Sequence, residues 1–222
     1  RAKGNIYDFV ESYKENCEKT AGKGLMCMFS GNHDVDRLAR HLHGDELKVA
    51  FAFILSMPGA PFIYYGDEIG MRYVEGLKSV EGGYNRTGSR SPMQWDDSAN
   101  AGFTTGTPWI SVNKNYTQIN AKAALEDKDS VFYYYQKLIQ LRHENEIIVE
   151  GVFHGLLEDN DDIYAYERTL GDEKLVVACN FTNKEVPCDL FEGKEGEELI
   201  TNYKNHVAGV LQPYETRVIL YK

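Results

Sequence analysis

The 222-residue sequence has no apolar run approaching the ~20 residues that a membrane-spanning helix needs; the longest, Val49 to Met57, is far too short. It has no excess of positive charge. With 34 acidic against 24 basic residues and a net charge of -10, nucleic acid and anionic membrane surfaces are poor partners. It has no C-x-x-C pair: its cysteines stand at Cys17, Cys27, Cys179 and Cys188, two of them in stretches that read as helix and buried strand. Free thiols in a reducing compartment are therefore a simpler reading than a disulfide framework. The sequence begins on Arg1, without an initiating Met, a basic leader or an apolar signal stretch, so it reads as processed or as a piece of a longer protein. A cytoplasmic location is the expectation.

What is present is length enough for one large or two small domains, and 15 Tyr, 10 Phe and 2 Trp. Rings can stack on sugars and can equally fill a β-sheet core. From residue 3 to about 20, Ile6, Phe9, Val10, Tyr13 and Cys17 recur at helical spacing, and Gly22 to Gly24 end the helix. A strand follows over Leu25 to Phe29. Asp45 then opens a helix carrying Leu47, Phe51, Ile54 and Leu55, and Pro58 to Pro61 break it before a strand at Phe62 to Tyr65. Helix, strand, helix, strand is the rhythm of a parallel α/β unit.

Residues 66 to about 128 show no sustained period, and a loop of that length without a task is uncommon. A helix led by Asp129 or Ser130 carries Phe132, Tyr135, Leu138, Ile139 and Arg142. From Ile147 onward the pattern is one of short β runs, at 147–153, 162–168, 174–181, 185–190, 197–201 and 214–221. These predict an antiparallel β-sandwich over 147–222, after an α/β part over 1–146. Two parallel strands cannot close a barrel, so the α/β part is expected to belong to something larger, with an open seam that invites self-association.

The chain is organised around Met26 to Arg37, where an apolar run ends abruptly in Asn32, His33, Asp34 and Arg37. If the strand belongs to a β/α barrel, these residues sit at its C-terminal end, where catalytic groups gather. Asn and Asp after a strand are also common turn formers, with His33 then simply packed, and the residues alone leave both readings open. Asp67 and Glu68 are sequence neighbours that point apart, so they read as supporting carboxylates, not a catalytic pair. His41 and His43 lack companions at metal-ligand spacing. Asn85, Asn115 and Asn180 start glycosylation sequons, a frequent chance match. Trp95 reads as an anchor for the long loop more readily than as a sugar platform.

Gly31-Asn-His-Asp-Val-Asp-Arg37 resembles the motif ending the seventh barrel strand of the α-amylase superfamily, and Pro58 to Met71 resembles its eighth strand. Ser89-Arg-Ser-Pro-Met-Gln-Trp-Asp-Asp97 with Asn100-Ala-Gly-Phe103 resembles the oligo-1,6-glucosidase and α-glucosidase branch, as does Val131 to Arg142, the eighth barrel helix. The resemblance implies the last part of a (β/α)8 barrel followed by a C-terminal β domain, and a retaining α-glucosidase acting on short oligosaccharides of the maltose or isomaltose type. It implies that Asp34 is the third carboxylate, gripping the C2 and C3 hydroxyls of the sugar being cleaved, that His33 bonds the same hydroxyls, and that Asn32 holds the loop. Arg37 and Arg90 would lie near that sugar.

The nucleophile and acid/base end the family's fourth and fifth strands, for which this sequence has no counterpart, so the chain alone is expected to be inactive. No cofactor is implied; a calcium site, where the family has one, usually lies in the part before this segment. Val35-Asp36 replaces the Gln-Pro or Thr-Pro common in relatives, which opens the linkage preference. Rival readings are a trehalose synthase or sucrose isomerase, and a non-enzymatic carbohydrate-binding module, against which stands the absence of Trp beyond Trp109.

Overall fold

A computed structural model describes residues 6–21, 23–193 and 195–222, with side chains from residue 8 onward. The elements run α1 (Ile6–Thr20), β1 (Cys27–Phe29), α2 (Asp45–Ser56), β2 (Ala60–Phe62), α3 (Ala121–Glu126), α4 (Val131–Glu144), α5 (Glu146–Glu150), β3 (Val152–Leu156), β4 (Ile163–Leu170), β5 (Glu173–Asn180), β6 (Val186–Pro187), β7 (Glu197–Thr201), β8 (Val210–Leu211) and β9 (Thr216–Tyr221). Short 3-10 turns lie between them. Residues 3–5 of the expected first helix, the Ile6 side chain and Gly22 lie outside the described residues. No described helix is long and apolar enough to cross a membrane. All four cysteines are free, and burial pushes the Cys179 thiol up to about 12.

The chain packs as two compact units that do not follow its order: Arg1–Met28, Lys48–Pro61 and Lys137–Lys222 form one, Phe29–Leu47 and Phe62–Gln136 the other. In the first unit an antiparallel five-stranded sheet has the order β3-β4-β5-β9-β7, and β6 pairs with β8. β4 and β5 pair over their full lengths, from Ile163 opposite Asn180 to Leu170 opposite Glu173. Strand periodicity sends Ile163, Ala165 and Ala178 to a cluster with Val186, Cys188 and Leu211 of the small β6-β8 sheet. Tyr164 and Tyr166 belong to another aromatic group, in which Phe9 and Phe53 stack edge-on at 4.9 Å and both meet Tyr164.

Two arginines close the polar accounts there. Arg142 donates to the carbonyls of Leu55 and Met57 at 3.0 Å each and to Gly59, satisfying acceptors that the end of α2 leaves free. Arg168, 1% exposed, donates to the carbonyls of Ile148, Val149, Gly151 and Ser56. The run expected as a strand at 147–153 is consequently the short helix α5, stopped at Gly151, before β3. A brief apolar run does not distinguish helix from strand, and the Arg168 side chain supplies donors for the carbonyls left at the helix end.

In the second unit Ile69, Met71 and Met93 pack with Ala121, Ala124 and Phe132. Gly66 has φ +85°, and a Cβ there would lie 2.4 Å from the Met71 sulfur, so the turn entering this core requires glycine. The long excursion is not structureless. Gln94 is fully buried, donates to Asn115 Oδ1 at 3.0 Å and to the Ile119 carbonyl, and accepts through its own carbonyl from Ala121 N. Asn120 caps α3 by accepting from Ala123 N at 2.8 Å. The expected buried strand over Leu25 to Phe29 is the shorter β1, and the strand expected at Phe62 to Tyr65 lies earlier, as β2 over Ala60–Phe62; the two pair only with one another, and Phe29, Phe62 and Ile63 are 49%, 61% and 52% exposed.

Candidate active site

All of the candidate residues fall in the second unit. Asn32 shapes the loop after β1: its Oδ1 accepts from the N–H of Asp34 at 2.7 Å and of Val35 at 3.1 Å, a turn that holds the Asp34 side chain outward. Asp34 is the meeting point. Its Oδ1 accepts from Arg86 Nη1 and Arg90 Nη2, each at 2.9 Å, and His33 Nε2 stands 3.3 Å from Oδ2. A carboxylate offers about four lone-pair directions. Two guanidiniums occupy Oδ1, so accepting capacity is left on Oδ2 of a side chain that is 44% exposed.

Arg90 is committed on every side. Its Nε donates to the His33 carbonyl at 2.9 Å, and its Nη1 lies 3.3 Å from Glu81. Partial burial works against the Glu81 charge, but hydrogen bonds from Thr87, from its own N–H and from that of Val80, together with Arg90, outweigh it and hold the carboxyl below its usual range. The loops are latched to each other. Ser89 Oγ donates to the Val35 carbonyl at 2.6 Å, Tyr64 Oη to Ser89 at 3.0 Å and Tyr65 Oη to Ser91 at 2.7 Å.

The structure therefore brings Asn32, His33, Asp34 and Arg90 together. Arg37 lies apart from the open carboxylate. It is 1% exposed, its guanidinium carbon 4.6 and 4.7 Å from the Tyr64 and Tyr65 ring centres, and its Nη1 donates to the Tyr65 carbonyl at 2.7 Å. It shares this floor with Asp67, 3.8 Å away and 4% exposed, which also accepts from Ser30 Oγ. Burial pushes the Asp67 carboxyl up to about 6; Ser30 and Arg37 pull it down and Glu68 adds to the rise.

Two residues of this cluster escaped sequence reasoning. Arg86 lies in the 3-10 stretch Tyr84–Ser89, four residues before Arg90, which caps its end, and that spacing is the signal available. Glu81 carried none. Among the described residues no group of three or more His, Cys, Asp and Glu side chains can hold a metal ion, His41 and His43 included. The sequon at Asn180 is spent: the side chain is fully buried and donates to the carbonyls of Lys184, Leu211 and Gln212. Trp95 holds the loop through its backbone, donating to Ala101 and accepting from Lys122, while the residue is 53% exposed. Gln94 beside it is the buried side chain that anchors the same loop.

Known proteins match this chain along nearly all of it. The family model described as the alpha amylase catalytic domain matches residues 2–151, and that of the maltogenic amylase C-terminal domain residues 153–218. An oligo-1,6-glucosidase of Parageobacillus thermoglucosidasius is 42% identical over 96% of the chain, which spans 46% of that relative's length. Among solved structures, a mutant trehalose-6-phosphate hydrolase of Bacillus licheniformis in complex with PNG superposes with a TM-score of 0.87 at 32% identity, over 97% of this chain and 47% of its own. A mutant trehalulose synthase in complex with Tris does so with a TM-score of 0.86 at 30% identity, over 98% and 47%.

Proposed function

We propose a sugar-cleaving role from one premise: the chain belongs to the α-amylase family, with a barrel portion followed by an antiparallel sheet domain. On this reading residues 1–146 are the last part of a catalytic (β/α)8 barrel, and 147–222 a C-terminal β-sandwich. The whole protein is a retaining α-glucosidase that hydrolyses short α-glucosides of the maltose or isomaltose type. The observation that carries it is the convergence of Arg86, Arg90 and His33 on Asp34.

A retaining mechanism needs a nucleophile and an acid/base about 5–5.5 Å apart, and its oxocarbenium-like transition state gains from hydrogen bonds to the sugar hydroxyls that tighten as the ring distorts. Asp34 suits that second task. With Oδ1 fixed by two arginines, Oδ2 can accept from a C2 or C3 hydroxyl while His33 donates beside it. Asn32 fixes the turn, and Arg37 acts from beneath by setting the Tyr64-Tyr65 floor. The bond-breaking pair is proposed to come from sequence outside these 222 residues. A cytoplasmic home is part of the proposal, supported by the four free thiols.

The test is turnover of p-nitrophenyl α-glucoside by this chain, alone and mixed with the part of the relatives that it does not span. Silence alone and rescue on mixing is the expected result; turnover by the chain alone would overturn the assignment. The trehalulose synthase likeness favours an isomerase as the second reading, and product analysis of the whole protein on maltose, isomaltose and sucrose separates the two. For a carbohydrate-binding module, retardation of the chain in a dextran gel would survive Asp34→Asn.

A further inference from the structure

A guanidinium beside a carboxylate favours a two-pronged pair, two nitrogens on two oxygens. Arg90 gives Asp34 a single prong: its Nη2 donates to Oδ1 at 2.9 Å, while the contact on Oδ2 is the His33 ring at 3.3 Å. A fork onto Asp34 would need a second nitrogen, Nε or Nη1, to reach Oδ2. Both are turned elsewhere. Nε donates to the His33 carbonyl at 2.9 Å, and Nη1 to Glu81 Oε1 at 3.3 Å. A guanidinium has five N–H groups. These contacts direct one on each nitrogen, and the other two, one on each terminal nitrogen, go where the plane of the group is set.

Glu81 is itself held firmly. Its side chain is 9% exposed, its Oε1 also accepts from Thr87 Oγ1 at 2.8 Å, and its Oε2 accepts from the Val80 N–H at 3.1 Å. Gly83 leaves the room for the pair. A Cβ there would run into Glu81 Oε1 and lie 2.9 Å from both Arg90 Nη1 and Thr87 Oγ1. The backbone at Gly83 is ordinary, with φ -75°, so it is the missing side chain that matters. Arg86, the second guanidinium on Oδ1, is half exposed, and water competes for its remaining donors. The Arg90 side chain is only 20% exposed, and a largely buried guanidinium that loses one carboxylate turns to the other.

We propose that Glu81 is a positioning residue of this site: it holds Arg90 to one contact with Asp34 and so keeps Oδ2 open for a sugar hydroxyl. The inference rests on the reading of Asp34 as the residue that grips the glucosyl unit. Glu81 touches no sugar; it acts through Arg90 alone.

The experiment is a kinetic cycle on the whole protein with isomaltose, joined to a crystal structure of the Glu81→Ala variant. Glu81→Ala should lower kcat/KM by about tenfold or more, the range for one hydrogen bond to a charged group, and its structure should show Arg90 with two nitrogens on Asp34. Gly83→Ala, which keeps both charges and displaces their contact, should give the same loss. In an Arg90→Met background Glu81→Ala should change nothing further, whereas a merely structural role gives losses that multiply. Multiplying losses, or an Arg90 that stays single-pronged without Glu81, would overturn the proposal. If Glu81→Ala fails to fold by circular dichroism, Gly83→Ala carries the same cycle and the same structure. Asp34→Asn separates this inference from the one beneath it. If it leaves kcat/KM unchanged while Arg90 forks onto Asp34 in the Glu81→Ala structure, the glucoside reading falls and the hold of Glu81 on Arg90 stands. If Asp34→Asn lowers kcat/KM sharply and Glu81→Ala does not, the reverse holds.

Discussion

Asp67 should make the folded chain less stable as pH rises, and the size of that effect can be worked out beforehand. The carboxyl is 4% exposed and its affinity for a proton is raised from the ordinary 3.8 to about 6, with burial the main cause. The charged groups that face it are Arg37 at 3.8 Å, which opposes the rise, and Glu68, which adds to it; Tyr135 also feels its charge. Below pH about 4 the group holds its proton in the folded and the unfolded chain alike. Between about 4 and 6 the unfolded chain ionises it and the folded chain does not, so stability falls as pH rises. Above that the loss is complete. At about 1.4 kcal/mol per tenfold change in proton affinity, the loss amounts to ~3 kcal/mol.

Asp67→Asn removes the titration and keeps an oxygen to accept from Ser30. The measurement is urea unfolding of both proteins across this range, followed by tryptophan emission, since Trp95 and Trp109 lie in the same unit as Asp67. The stability of the variant relative to the parent should climb by ~3 kcal/mol from acid to neutral pH, about 1.5 M in urea midpoint for a typical slope of ~2 kcal/mol per molar. Taking the difference cancels the exposed carboxylates, which titrate in both proteins. A difference that stays flat with pH would refute the reasoning, because Asp67 would then bind its proton equally in both states. A difference that shrinks toward neutral pH would mean that Arg37 outweighs burial.

Three further outcomes follow from the same contacts. Arg86→Met, which removes one of two guanidiniums on Asp34, should lower kcat/KM of the whole protein on short α-glucosides by about ten- to a hundredfold, the range for a hydrogen bond to a charged group; unchanged kinetics would exclude Arg86 from the site. Arg168→Met strips the donor from carbonyls of Ile148, Val149, Gly151 and Ser56 and should cost ~3 kcal/mol or more, read as a fall in urea midpoint by circular dichroism. Phe29, Phe62 and Ile63, all about half-bare or more on β1 and β2 or just beyond, should drive self-association, weakened by Phe62→Lys; a monodisperse monomer of the parent in light scattering would count against it.

What was legible in the sequence was the part dictated by local chemistry. Asn32 two residues before Asp34 is a turn signal, and it makes that turn; the boundaries of β7 are equally local. The errors share a cause of another kind. Residues 147–150 carry strand-type side chains and nevertheless form a helix, because the carbonyls at its end are met by Arg168, a residue about twenty positions further on. Trp95 does hold its loop, through its backbone, but the buried side chain there is Gln94, whose amide finds partners at Asn115 and Ile119 that no pattern within its own stretch announces.

The site divides along the same line. Turn chemistry and motif identified Asn32, His33, Asp34 and Arg90, but which arginine touches Asp34 depends on how a loop some fifty residues later folds back, and it delivers Arg86 and Arg90 while Arg37, three residues away, turns under Tyr64 and Tyr65. A long cationic side chain goes where partners compensate its desolvation. Near Asp34 that is a carboxylate still open to water; beneath it, Arg37 meets two ring faces, the Tyr65 carbonyl and the Asp67 carboxyl at 3.8 Å. Spacing in the sequence shows that an arginine can reach a site, and only the fold decides whether it contacts the ligand or carries the floor under it.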